Sequence, residues 1–263
     1  MNLRGAAVLL TGASGGIGRA TAARLGGAGA RVALHGRNEA ALRETAEVVL
    51  RAGGEAHVVT GDLRRPDDAA RAVADARGRF GRLDALVNNA GLAYFKRLDE
   101  ATEAEISEQV ELNLLGSLWA SRAALPALLE SKGAIVTVAS FAGRIGIPYY
   151  TAYAASKFGL IGAMEALRRE LAPLGVRVTT VIPAAVETRF LDKAGRDRAL
   201  GRGPAGVVLA PERVGSAVLR ALERHPAEIY LPRTHRFLAV LNAALPGLSD
   251  RILRGLMRYP PSE

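Results

Sequence analysis

The sequence predicts a single α/β domain in which helices wind doubly around a central parallel sheet, with a helical extension at the C-terminal end. Three observations predict it. Short apolar runs alternate with helical stretches along the 263 residues, and a glycine-rich turn joins the first run to the first helix. The conspicuous polar clusters fall at the ends of the runs, where open sheets of this kind hold their ligands. A chain of this length suits one domain with an ample core, and nothing in it suggests a linker or an internal repeat.

The first run, Ala6 to Leu10, is short and apolar throughout, as a buried parallel strand is. It passes through Thr11-Gly12-Ala13-Ser14-Gly15-Gly16-Ile17-Gly18 into a helical stretch, Ile17 to Gly26. Further strands are expected at Arg31 to His35, Ala56 to Thr60, Ala85 to Asn88, Ala134 to Ala139, Arg177 to Ile182 and Glu228 to Leu231. Helices are expected between them at Glu39 to Arg51, Asp67 to Gly78, Glu103 to Leu129, Ala152 to Leu171 and Pro211 to Glu223. This places the main domain at residues 1–232 and an extension at 233–263. The glycine-rich segment 188–206 reads as a mobile lid. In the extension, Phe237 to Leu241 is followed by a break at Pro246-Gly247. Leu248, Ile252, Leu253, Leu256 and Met257 then stand opposite Arg251, Arg254 and Arg258, an amphipathic helix with a basic face. It either packs on its own subunit or a partner, or lies on an anionic membrane surface.

Composition excludes several classes of function. Zero cysteines remove disulfides and thiolate chemistry, and the four histidines show no metal-ligand spacing, so no metal is expected. The formal charge of +9 invites a nucleic-acid reading, but the arginines are spread along helix faces rather than clustered, so no nucleic acid is expected. No charged start precedes an apolar segment, and no apolar stretch approaches the length of a membrane span. A cytoplasmic protein is expected, with membrane association through the tail left open.

The chemistry concentrates around Tyr153 and Lys157, which at i and i+4 share one helix face. An unperturbed tyrosine titrates at about 10. A positive charge ~4 to 5 Å away, at an effective dielectric of ~20, favours the phenolate by roughly 3 to 4 kcal/mol, enough to bring the phenol within reach of neutral pH. The glycines of the first turn let a backbone approach a pyrophosphate at a helix N-terminus. A rival reading occupies the same residues, because Gly12-Ala13-Ser14-Gly15-Gly16 also fits the Gly-x-Ser-x-Gly nucleophile elbow, with His225 and His235 as possible bases.

Thr11-Gly12-x-x-x-Gly16-x-Gly18, Gly61-Asp62-Leu63, Asn88-Asn89-Ala90-Gly91, Asn113, Ser140, Tyr153-x-x-x-Lys157, Pro183 and Val186-x-Thr188 occur in that order. In this the chain resembles a short-chain dehydrogenase/reductase, from about Leu3 to Phe190. The resemblance implies a Rossmann-type fold and a nicotinamide cofactor held by Gly12, Ser14, Gly16, Ile17, Gly18, Arg37, Asp62, Leu63, Asn89, Ala90, Gly91, Pro183, Val186 and Thr188, together with Tyr153 and Lys157. It implies Tyr153 as general acid or base, Ser140 as the hydrogen-bond partner of the substrate oxygen, Lys157 as its electrostatic partner and a ribose ligand, and Asn113 as the holder of a relay water. Gly36 stands where users of NAD place an aspartate, and Arg37 follows it, so NADP is expected, with NAD possible as the alternative. Gly15, where many NADP users carry a basic residue, and Ala184, where the family has glycine, are departures. The apolar character of Leu92 to Phe95, Phe141 to Tyr150 and Phe190-Leu191 favours a bulky ketone or secondary alcohol. By the same resemblance, the helices bearing Trp119 and Phe158 would form a contact between subunits, which implies a homodimer or homotetramer. A dinucleotide sensor or scaffold without turnover, and a serine hydrolase, are the alternatives.

Overall fold

Each of the seven apolar runs becomes a strand in the computed structural model, which describes residues 1–194 and 208–256: β1 (Ala7–Thr11), β2 (Arg31–Gly36), β3 (Glu55–Thr60), β4 (Ala85–Asn88), β5 (Ala134–Val138), β6 (Arg177–Pro183) and β7 (Glu228–Leu231). They form one sheet in the order β3-β2-β1-β4-β5-β6-β7, every neighbouring pair parallel. The chain winds outward from β1 to β3, then crosses back to β4 and winds the other way. That reversal leaves a crevice at the carboxyl ends of β1 and β4, the place where such sheets bind ligands.

Side-chain alternation along β1 splits the core in two. Val8 and Leu10 face α1 (Gly16–Gly27), α2 (Glu39–Arg51) and α8 (Pro211–Arg224), where they meet Leu25, Leu42 and Val218. Ala7 and Leu9 face α3 (Pro66–Phe80), α5 (Gly116–Ser131) and α6 (Thr151–Leu171), where they meet Phe80, Leu128 and Leu160. All of these side chains are buried to 6% exposure or less, so both faces of the sheet are dry.

The long helix expected over Glu103 to Leu129 is interrupted. Residues Glu103–Val110 form α4, opened by a reciprocal capping box between Thr102 and Glu105, and Glu111–Leu115 then form a π-helical turn before α5 begins at Gly116. A π turn inserts an extra residue into the helix, and here Asn113 lies within it, fully buried. The tail also forms two helices, α9 (His235–Ala244) and α10 (Pro246–Leu256), separated at Leu245 because the next residue is a proline. His235 and Ala239 anchor α9 beside Phe141 and Tyr230. Of the expected lid, Arg189–Ala194 form the short helix α7, and residues 195–206 lie outside the described residues, as do Met257 and Arg258 of the tail. Among the described residues no helix is long and apolar enough to cross a membrane.

Candidate active site

Where β1 leaves the sheet, Thr11 clamps two turns together. Its hydroxyl accepts hydrogen bonds from the backbone N–H of Asn89 (2.9 Å) and Ala90 (3.1 Å), and Asn89 Nδ2 donates back to the carbonyls of Thr11 (2.9 Å) and Gly12 (3.1 Å). The clamp brings the backbones so close that a Cβ on Gly12 would stand 2.7 Å from Ala90 Cα, and Gly12 also has φ +63°. Only glycine meets both demands. The chain enters α1 at Gly16 with Gly15 as N-cap and no side-chain cap, leaving the first helical amides for another acceptor. The Thr188 methyl, beyond β6, lies against Gly16.

At the end of β5, Ser140 Oγ accepts from Ala142 N at 3.2 Å and so starts a 3-10 turn, Phe141–Gly143. Tyr153 and Lys157 follow on α6, both buried. The tyrosine hydroxyl hydrogen-bonds with Ser140, and Lys157 Nζ lies 5.8 Å from the tyrosine ring centroid and donates to Val138 O at 3.4 Å. Burial pushes the Tyr153 phenol up to about 12, only partly opposed by the Ser140 hydrogen bond, and burial brings Lys157 down to about 8. The expected lowering of the tyrosine pKa by the lysine is therefore not found in the protein alone. The cost of moving a charge out of water sets the direction of the shift at both groups.

A cavity of about 540 Å³ runs from the glycine turn past Ser140, Tyr153 and Lys157 to the tail. Gly12, Ser14, Gly16, Ile17, Gly18, Arg37, Asp62, Leu63, Asn89, Ala90, Gly91, Pro183, Val186 and Thr188 all line it. Asn113 does not. Its Oδ1 accepts from Leu92 N (2.8 Å), and its Nδ2 donates to Leu92 O (2.9 Å) and Ser156 Oγ (3.0 Å), which in turn donates to Tyr153 O (2.7 Å). The Asn113 side-chain amide fastens the loop after β4 to α6. Near the glycine turn, the Arg64 side-chain hydrogen bond holds the Asp62 carboxyl below the usual range, with a closest approach of 2.6 Å. Arg37 is exposed at the cavity edge, and its charge also reaches Asp62.

The serine-hydrolase reading fails on position. His225 Nε2 lies 3.1 Å from the Met1 amine, at the amino-terminal ends of the strands, and His235 is packed edge-on against Phe141. Neither is paired with Ser14. On the far wall of the cavity, residues of the tail that the sequence marked only as an amphipathic extension join Phe95, which was expected near the carbonyl. Leu238 and Leu241 of α9 and Ser249 and Ile252 of α10 line it, and Phe95 stacks on Tyr150 and edge-on against Tyr153. Their apolar type was legible, but their meeting depends on how the tail folds back.

Residues 6–199 match the model of the short chain dehydrogenase family. The chain belongs to that family. Among solved structures, an alcohol dehydrogenase from the archaeon Thermococcus sibiricus, complexed with 5-hydroxy-NADP, is similar with a TM-score of 0.75 and 31% identity, covering 85% of this chain and 94% of its own. Estradiol 17-beta-dehydrogenase 11 of Homo sapiens is 33% identical over 261 residues, 98% of this chain and 84% of the relative. The uncharacterized oxidoreductase YxnA of Bacillus subtilis is 32% identical over 266 residues, 98% of this chain and 74% of its own. This short-chain dehydrogenase is thus an oxidoreductase of the NAD(P)-dependent kind that works between carbonyls and alcohols.

Proposed function

We propose that this short-chain dehydrogenase interconverts a bulky apolar ketone and its secondary alcohol with NADP(H), using Tyr153 as acid and base. The observation that carries the reading is the Ser140, Tyr153 and Lys157 cluster, set in one cavity between an uncapped glycine turn and an apolar wall. The residues present fit a dinucleotide. The free amides at the start of α1 suit a pyrophosphate, and the exposed Arg37 guanidinium suits a 2′-phosphate. When bound, the reduced cofactor supplies hydride to the carbonyl carbon. Tyr153 passes its proton to the carbonyl oxygen, and in the reverse direction takes it back. A phenol raised by burial is protonated at neutral pH, the form that can donate to the carbonyl oxygen. Ser140 orients the oxygen by hydrogen bonding, Lys157 restores charge balance beside the phenol, and Asn113 holds the loop that bears Phe95.

The substrate side is apolar. Phe95, Tyr150, Phe190 and Leu191 gather around Tyr153, and the tail leucines lie opposite the glycine turn. Such a wall excludes water from the reacting carbonyl and favours lipid, steroid or aromatic skeletons over sugars. Phe158, 44% exposed on α6, and Trp119, half-buried on α5, are the apolar surface proposed to join subunits as a dimer or tetramer. The test is consumption of NADPH and of NADH against a panel of small and bulky carbonyls. NADPH-dependent reduction of bulky ketones is expected, whereas cofactor binding without turnover on any carbonyl would establish the sensor or scaffold reading.

A further inference from the structure

We propose that the outer face of α9 and α10 docks on an anionic lipid bilayer and that substrate passes from the bilayer into the cavity beside these helices. The proposal rests on the proposed function for its second half only. Its first observation is exposure. Phe237 is 77% exposed and Val240 61%, one helical turn apart on α9, and Leu245 and Leu248 are also exposed where the chain passes into α10. Phenylalanine left in water at this level, beside other large apolar side chains, marks a surface that has something to meet.

The second observation is charge. Arg233, Arg236 and Arg251 are exposed around this surface. Between Arg233 and Glu263 the sequence carries five arginines against two acidic residues, in a chain of formal charge +9. An apolar strip rimmed by guanidinium groups matches an anionic headgroup layer over hydrocarbon, because the rings enter the acyl boundary while the cations stay at phosphate depth. A second copy of the same surface would instead bring like charges together.

The third observation is continuity. Val208, Leu238 and Ile252 line the cavity and are also 39%, 39% and 41% exposed, so the wall of the cavity and its outer surface are made by the same side chains. An apolar molecule dissolved in the bilayer meets that wall without crossing water.

The test uses the full-length protein with vesicles of phosphatidylcholine alone and of phosphatidylcholine mixed with phosphatidylserine, followed by sedimentation. Binding to the phosphatidylserine vesicles is expected, weakened by salt, and reduced at least about tenfold by Phe237→Ser with Val240→Ser. Arg233→Glu with Arg236→Glu should abolish the preference for anionic lipid. With the serine variant, reduction of a water-soluble ketone should be unchanged, while reduction of a long-chain ketone dissolved in the vesicles should fall about tenfold, in line with the lost binding. No vesicle binding by the native protein, or equal binding by the serine variant, overturns the docking. A smaller oligomer in light scattering of that variant, with vesicle binding intact, assigns the face to a subunit contact and also overturns it. Failure to reduce the soluble ketone at all would remove the proposed function and the substrate route, and the sedimentation result would still decide the docking.

Discussion

At the glycine-turn end of the cavity the walls are strand ends and the turns that leave them, whereas at the tail end they are side chains of α7, α9 and α10. The first end is fixed by directional bonds: Thr11 to Asn89 and Ala90, and Asn113 to Leu92. The second is held mainly by apolar contact, with Ala239 and Tyr230 in one cluster and Leu191 and Phe190 in another. Hydrogen bonds set positions to tenths of an ångström and resist displacement, while apolar packing excludes water and tolerates changes of shape. The difference teaches where each kind of specificity can reside. On the proposed function, a constant dinucleotide belongs with the first end and a variable substrate with the second. Each end also buries one histidine, His35 and His235, and neither ring nitrogen of His35 has a hydrogen-bond partner among the described residues.

The largest effect should come from the boundary between the two ends. Tyr153→Phe removes a transferable proton and little surface, so turnover should fall by about 10² to 10⁴ while cofactor affinity, followed by fluorescence titration, stays within about twofold. Near-normal turnover in that variant would break the proposed mechanism and leave the comparison with no chemical centre.

Acidification should weaken the glycine-turn end in a way that His35 reports. Burial brings His35 down to about 4, against the partial pull of Asp68 and Asp62, while in the unfolded chain it titrates near 6.5. Above pH 6.5 both states are neutral at this site, and it carries no penalty. As pH falls from about 6.5 towards 4 the unfolded chain takes up a proton that the folded one refuses, and stability drops by up to about 3 kcal/mol. At pH 5 the loss is about 2 kcal/mol. Urea unfolding of the native protein and of His35→Gln at pH 7 and pH 5 should show a smaller pH effect in the variant. The same pH effect in both would assign the acid sensitivity elsewhere, His235 being the next candidate because burial lowers it too.

How far the sequence could be read follows the same division. The strands and the glycine turn were legible because a buried parallel strand is a short apolar run and its ends carry the polar residues. Tyr153 and Lys157 were legible as a pair because helical spacing is local. What local spacing could not supply was the balance between burial and charge at that pair, since burial depends on α6 packing against β5 and on the cavity wall. Nor could it supply the π turn at Glu111–Leu115, within which Asn113 accepts a hydrogen bond from the distant Leu92 backbone. The tail was legible as amphipathic, but Leu238 and Ile252 enter the cavity wall only because the chain turns at Leu245 and folds back.

The glycine-turn end can be sharpened at Arg37. Arg37→Asp places a carboxylate where the 2′-phosphate is proposed to lie, so the affinity for NADPH should fall about 10- to 150-fold, with NADH changing little. The measurement is the ratio of the two cofactors' dissociation constants. An unchanged ratio would remove the assignment to NADP, and Arg37 would then be an exposed arginine like the others on this surface.

The smallest effect is expected at Ala184, where the two ends meet beyond β6. Ala184 is buried, lines the cavity and donates its amide to Leu231 O at 2.8 Å, so its backbone is fixed by the β6 to β7 pairing whatever side chain it bears. Ala184→Gly therefore removes a methyl group without moving the chain. Loss of the methyl contacts and of backbone restriction in the unfolded state should cost about 1 kcal/mol of stability. Turnover should change by less than about fivefold, the kinetic equivalent of that energy. Thermal unfolding and the turnover number, measured on the same preparation, separate the two. A larger rise in turnover would mean that the methyl crowds the reacting carbonyl and limits the native protein. A larger fall would mean that the pocket is shaped around it, and that directional fixing of the strand end extends to the substrate as well as to the cofactor.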